Sequence, residues 1–316
     1  MTALRLIAVF LAFTAIGTPS SQAADLVIGV PDWPSARATA NIIKVVVENR
    51  LALSVALQEA DNEKIFEGMD AGTIQLHPEV WLPNQNDLYQ DYVEAKRSVS
   101  LSPLSVDASQ GICATRVTAE IHGIKSVQDL TDPEKAKIFD TDFDGKGEMW
   151  IGQSDWASTQ VVISRARLSG YDQTMTLLQG GEPLALAAID VAVSIGKPLV
   201  FYCYKPHHVF ALHDIVRLDE PNQDQSRFAV ASGGGNSSES ENAASATFAN
   251  ARFHIAYAAS LADSTPQVAR LLRQIRLDTD MVTGMTYALV VERQDPAAFA
   301  RQWVEKHSDE IDRWVR

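Results

Sequence analysis

Short, continuous apolar runs alternate along this chain with longer stretches in which apolar residues recur at helical spacing. The run 26–30, LVIGV, contains no polar position and reads as a strand covered on both faces. After a turn at 31–35, helical spacing predicts a helix over 37–49. A strand at 54–58, a helix at 62–71 and a strand from 75 that ends at Trp81 continue the alternation. Strand–helix–strand succession implies an α/β lobe with ligand sites at the C-terminal ends of its strands. Trp33 and Trp81 both fall at such ends. A strand at 111–116 enters a second lobe, with a capped helix start at 126–130, helices at 158–169 and 184–195, and a buried strand at 198–204. The chain returns to the first lobe after 214–218, and helices at 265–276, 279–287 and 295–315 close it, with Trp303 and Trp314 as packing residues. No internal repeat interrupts this order.

Residues 1–23 have the pattern of a secretory signal peptide: Arg5 forms a small positive start, 6–16 an apolar run, and Ser21 and Ala23 the small residues of a cleavage site. That run is too short for a stable membrane span, and no cysteine stands at the cleavage point for a lipid anchor. The reading is an exported, soluble protein. The remaining chain of about 290 residues is long enough for two cores, which divide as 24–110 plus 220–316 for the first lobe and 111–219 for the second. The net charge of -13, or -14 once Arg5 leaves with the signal, makes nucleic acid and anionic membrane poor partners and suits a cationic or zwitterionic ligand. The two cysteines, Cys113 and Cys203, form an even pair in an oxidising compartment, which favours a disulfide over two buried thiols. Residues 232–242, SGGGNSSESEN, read as a flexible loop in which Asn236 heads a formal glycosylation sequon.

Chemistry concentrates in 139–159. Asp140, Asp142 and Asp144 occupy alternate positions followed by Gly145, the spacing with which a tight loop turns carboxylates onto a hard cation. Lys146, through its backbone carbonyl, and Glu148 extend the donor set. The twelfth position is Ile151 rather than glutamate, and a strand follows rather than a helix, so the expectation is a single EF-like calcium loop with a structural role. The alternative is a solvated Asp/Gly turn. Beyond the apolar run at 149–151, Trp156 precedes Ser158 and Thr159, which are expected to cap the helix that begins there. A tryptophan at a helix N-terminus can meet a cation on its ring while free amides meet the same ligand's anionic group.

Four segments share one feature: PDW at 31–33, HPEVW at 77–81, SDW at 154–156 and YCYKPHH at 202–208 each put an aromatic residue at or just past a strand end. With HPEVWLPN at 77–84, the acidic loop running into SDWAST, and KPLVFYCYKPHHVF followed by DIVRLDEP, the chain resembles the substrate-binding proteins of quaternary-amine ABC importers. That family takes up glycine betaine, choline, carnitine and trimethylamine N-oxide. The resemblance covers nearly the whole chain after 23. It implies a two-lobed periplasmic binding protein of type II, α/β in class, with the ligand in the inter-lobe cleft and a hinge that closes on it. It further implies a periplasmic location, a monomer, and an ABC permease in the inner membrane as partner.

By position the aromatic cage would be Trp33, Trp81, Trp156 and Tyr204, the last standing where many members have tryptophan, as Phe228 also does. A quaternary ammonium has no N–H to donate, so ring faces recognise it where hydrogen bonds cannot. Glu79 either faces the cation as a carboxylate, donates to an N-oxide when protonated, or lies on the surface. Ala157, Ser158 and Thr159 are candidates for the ligand's anionic end. His207 and His208 hold a ligand oxygen or a metal, or are structural. The competing reading is an exported calcium-dependent hydrolase using Cys203 or His207, against which stands the absence of a G-x-S-x-G or H-E-x-x-H motif.

Overall fold

The computed structural model describes residues 24–220 and 251–316. The leader 1–23, Phe228, the loop 232–242 and Asn236 lie outside the described residues.

Two five-stranded mixed sheets organise the chain. Apolar β1 (Leu26–Val30) pairs in parallel with β2 (Val55–Glu59) and β3 (Leu76–Leu82). Antiparallel β10 (Arg252–Ala258) lies between β3 and β4 (Val99–Asp107), giving the order β2-β1-β3-β10-β4. The second sheet runs β7-β6-β8-β5-β9, from Met175–Leu178, Gly147–Trp150, Val200–Lys205, Ser109–Thr115 and Ile215–Arg217. Here β6 is parallel to β7 and β8, and β5 is antiparallel to β8 and β9. A single residue, Ala108, separates β4 from β5, and its N–H donates to the carbonyl of Ala251 at 2.9 Å, so the crossing between the sheets lies beside the start of β10.

Local chemistry explains the element boundaries. Asp61 caps the helix Asn62–Ala71 by accepting the Lys64 N–H, and Gly72 ends it with φ +77°, a left-handed conformation that favours glycine. The helix Pro34–Leu51 starts three residues earlier than periodicity alone suggests, because Pro34 at its first position has no N–H to satisfy and a φ suited to the helix. It packs against Thr279–Val290 and Pro296–Lys306. One apolar cluster runs from the first sheet through Trp81, Trp156 and Tyr204 into the second. Cys113 and Cys203 form a disulfide between β5 and β8, with Cα atoms 5.8 Å apart.

Four further features of the fold differ from the sequence expectation. The helix expected over 295–315 is two helices, Pro296–Lys306 and Ser308–Val315, which break at His307. That break lets Trp314 stack on Trp303 at 6.1 Å with both rings buried. Ser126 does cap the segment at 126–130, with a full capping box to Asp129, but the turn it starts is the 3-10 helix Val127–Thr131. Strands β4, β7 and β10 were not foreseen: β4 carries Pro103, tolerated because it is an edge strand, and β7 is four residues long. Finally, neither Ser158 nor Thr159 caps the helix Ala157–Ser169; Trp156 holds the N-cap position, without a side-chain cap.

Candidate functional site

Strand ends and helix starts deliver four aromatic rings to the space between the sheets. Trp33 follows β1 and is the extended N-cap of Pro34–Leu51; Trp81 is the penultimate residue of β3; Trp156 follows β6; and Tyr204 is near the end of β8. Trp33 meets Trp156 edge to face at 6.5 Å and 83°, Trp156 meets Tyr204 at 6.0 Å and 85°, and Tyr204 meets Trp81 at 5.7 Å and 90°. Successive perpendicular contacts turn four rings into the walls of a box. Tyr202 stacks beside Tyr204 at 6.0 Å, and Phe253 braces Trp81 from β10 at 5.2 Å.

These four rings and Tyr202 line one cavity with Asn62, Asn84, Gln85, Gln110, Ala157 and Ser158. None of these lining residues carries a charge. Helical geometry leaves the first-turn amides of Ala157 and Ser158 without intrahelical partners. Thr159 is different: it is fully buried, and its hydroxyl donates back to the loop carbonyl of Gln153 at 2.6 Å. Its side chain therefore holds the loop and does not face the cavity.

Glu79 lies behind the box and not in its wall. It is 0 % exposed, which removes the surface reading. Its Oε2 accepts the indole N–H of Trp33 at 2.8 Å, the Ser35 hydroxyl at 2.8 Å and the Trp81 indole N–H at 3.4 Å, while Oε1 accepts the Thr39 hydroxyl at 3.2 Å. One carboxyl thus ties together the two walls supplied by the first sheet. Burial pushes it up to about 7, against the downward pull of those four donors.

Histidine tautomers set the polar lining. His77 Nδ1 accepts the Glu79 N–H at 3.1 Å, so Nε2 carries the proton and donates to Asn62 Oδ1 at 2.9 Å. With its oxygen occupied, Asn62 offers the cavity its amide N–H groups. Asn84 and Gln110 exchange amide hydrogen bonds at 2.8 and 3.2 Å, and the Tyr202 hydroxyl donates to Gln110 Oε1 at 2.6 Å. Gln110 sits where the chain enters the second sheet, opposite Tyr204 in the register. Buried and free of hydrogen-bond partners among the described residues are Gln85 Oε1 and Trp156 Nε1. His207 and His208, both 2 % exposed, lie behind Tyr204, with the His207 ring 4.8 Å from it, and line no part of the cavity.

Asp140, Asp142, Asp144 and Glu148 converge with carboxylate oxygens within 4.8 Å of one another. Backbone N–H groups of Phe143 and Gly145 bond to Asp140, that of Asp144 to Asp142, that of Lys146 to Asp144, and that of Thr141 to Glu148. Glu148 Oε1 is buried without a hydrogen-bond partner among the described residues. An all-oxygen donor set of this kind suits a hard cation such as calcium. The loop opens β6, whose far end, Trp150, contacts Trp156 at 6.0 Å.

Of the residues expected from sequence, Trp33, Trp81, Trp156, Tyr204, Ala157 and Ser158 line one cavity, whereas Glu79 stands one layer behind it. Not expected from sequence were Asn62, Asn84, Gln85, Gln110 and Tyr202. Asn84 and Gln85 directly follow the HPEVWLP run, and their carboxamides just past a strand end were a usable signal. Asn62 opens a helix and Gln110 a strand, so nothing local marked either. The hydrolase reading loses its thiol, because Cys203 is bonded to Cys113.

A family profile described as the substrate binding domain of ABC-type glycine betaine transport system matches residues 24–306. Among curated relatives, the glycine betaine/proline betaine-binding periplasmic protein of Salmonella typhimurium is 24% identical over 245 residues, 75% of this chain and 72% of that protein. The glycine betaine-binding periplasmic protein OusX of Dickeya dadantii is 24% identical over 248 residues, 74% of this chain and 72% of that protein. Among solved structures, the glycine betaine, L-proline-binding protein of Borrelia burgdorferi superposes with a TM-score of 0.73 at 17% identity, covering 92% of this chain and 96% of that one. An ABC-transporter choline-binding protein in complex with choline gives 0.72 at 17%, covering 92% and 91%.

Proposed function

The chain belongs to the family of substrate-binding domains of ABC-type glycine betaine transport systems, and from that premise we propose that it captures a small methylated amine in the box of Trp33, Trp81, Trp156 and Tyr204 and delivers it to a permease. The family is one of binding domains and not of enzymes, so the work done is recognition and release. The observation that carries the reading is the set of perpendicular ring contacts around an uncharged cavity, with the carboxyl of Glu79 behind two of the walls. Each ring face contributes about 0.5–1 kcal/mol toward a cation when exposed and about 2 kcal/mol when desolvated. Three or four such contacts reach roughly the 8 kcal/mol of a micromolar complex.

The ligand's other end would meet the amides of Ala157 and Ser158, with the N–H groups of Asn62 at hand. Neutral donors suit the carboxylate of glycine betaine or carnitine, the hydroxyl of choline and the oxygen of trimethylamine N-oxide alike. Rings from both sheets form the box, so separating the sheets about the crossing at Ala108 would dismantle it. Ligand release by hinge opening follows from that geometry. Periplasmic location agrees with the relatives' printed names and with the leader pattern at 1–23, and a monomer working with one inner-membrane permease completes the reading. Calcium bound by Asp140, Asp142, Asp144, Glu148 and the Lys146 carbonyl would pin the start of β6 and through it the Trp150–Trp156 contact.

Titration calorimetry of the protein without residues 1–23 against glycine betaine, choline, carnitine and trimethylamine N-oxide tests the proposal. Saturable binding of one of them, lost in Trp156→Ala, is the expected result. A folded protein that gives no heat with any of the four refutes it.

A further inference from the structure

On the second-sheet side of the box, the group behind the aromatic wall is Glu182. It is 3 % exposed and opens the helix Glu182–Ser194, where the positive end of the helix dipole favours negative charge. The Tyr204 hydroxyl donates to Glu182 Oε1 at 2.6 Å. His207 Nδ1 accepts the backbone N–H of Val209 at 3.1 Å, which leaves the ring proton on Nε2, and that atom lies 3.3 Å from the same Oε1. The Tyr204 hydroxyl is thus the hydrogen-bond donor to this buried oxygen, and the His207 ring nitrogen stands close by without hydrogen-bond geometry, an arrangement suited to a carboxylate. Burial and the adjacent Glu182 hold the Tyr204 phenol well above its ordinary value, so Tyr204 keeps its proton and its role as donor. The arrangement parallels that on the other side, where Glu79 accepts both indole N–H groups.

Resting on the methylated-amine reading above, we infer that Glu182 is a positioning residue of the box: through the Tyr204 hydroxyl it fixes this wall, and it places a negative charge behind the ring that makes the wall favour a cation over an uncharged ligand of the same shape. Two effects act in the same direction. Donating an O–H to a carboxylate pushes electron density into the phenol ring and deepens the negative potential of its face. The carboxylate itself attracts the ligand's positive charge through a medium of low dielectric, where one charge counts for more than in water.

Choline, glycine betaine and trimethylamine N-oxide, each paired with the carbon analogue in which a tert-butyl group replaces the trimethylammonium, separate charge from shape. For whichever of the three wild type binds, Glu182→Gln is expected to weaken it about tenfold while its carbon analogue loses less than about twofold. Glu182→Asp keeps the charge and shortens the reach to Tyr204, so both ligands should weaken together. Equal losses of cation and analogue in Glu182→Gln, or no loss of either, would overturn the inference. If the amide variant does not fold, Tyr204→Phe carries the test: the cation-to-analogue ratio should fall about threefold, and an unchanged ratio overturns the inference. Wild type binding none of the three amines would instead remove the underlying reading, a different and recognisable outcome.

Discussion

Shifting the pH across 7 should titrate Glu79 and with it the affinity of the box. The Glu79 carboxyl, raised from 4.5 to about 7 by burial, is mostly protonated at pH 6 and mostly ionised at pH 8. Its ionised fraction rises from about one-tenth to about nine-tenths over that range, so a fixed cation that needs the carboxylate should bind up to about tenfold more weakly at pH 6 than at pH 8. Near pH 7, binding should release up to about half a proton. Choline and glycine betaine do not titrate in this interval. His77 and His208, both lowered to about 3 by burial, stay neutral, and Tyr204 stays protonated. Glu79→Gln is the control. Its carbonyl oxygen can keep the bonds from Trp33, Ser35 and Trp81, and its amide can donate to the Thr39 hydroxyl, so the walls stay in place while the titration disappears. Linkage gives a second sign. The native state holds a proton that the unfolded chain gives up above 4.5, so this group's contribution falls as pH rises from 4.5 to about 7, by about 3 kcal/mol in all. Glu79→Gln should flatten that slope. Calorimetry at pH 6, 7 and 8 in buffers of different ionisation enthalpy is the assay. A wild-type affinity flat from pH 6 to 8, with heats independent of buffer, refutes the reasoning.

Other tests read the surrounding scaffold. Replacing Cys113 and Cys203 together by alanine opens a cross-link spanning 90 residues and should cost about 2–5 kcal/mol, seen as a lower urea midpoint. Gly152, at φ +110°, faces Thr159 and Trp156: a Cβ there would lie 2.5 Å from Thr159 Oγ1 and 3.2 Å from the Trp156 ring. Gly152→Ala should therefore cost about 1–3 kcal/mol of strain and weaken amine binding by displacing that wall, measurable by thermal melting and calorimetry. Calcium at about 1 mM should raise the melting temperature relative to chelator, by the equivalent of about 0.4–1.4 kcal/mol for a site of roughly 10⁻⁴ to 10⁻³ M. Asp142→Asn with Asp144→Asn should abolish that difference, and equal melting with and without calcium in wild type would leave the loop as an acidic turn.

Much of the fold was legible because its signals are local. The apolar run 26–30 has no polar face to expose, Asp61 and Gly72 bracket their helix, and the PDW, HPEVW and SDW segments each put a ring where a strand ends. Their local chemistry suffices to mark a strand end or a cap, whatever lies across the cleft. Strand β4 was illegible for the opposite reason: Pro103 reads as a breaker until its edge position is known. The depth of Glu79 and the roles of Gln110 and Glu182 depend on partners distant in sequence, the Trp33–Glu79 bond spanning 46 residues and the Tyr202–Gln110 bond 92. Sequence alone thus determined the kind of chemistry, aromatic rings beside acidic side chains in an acidic chain. Only the tertiary structure decided which rings face one another and which carboxyls stand behind them, because burial and hydrogen-bond partnership are properties of packed neighbours and not of any single stretch of chain.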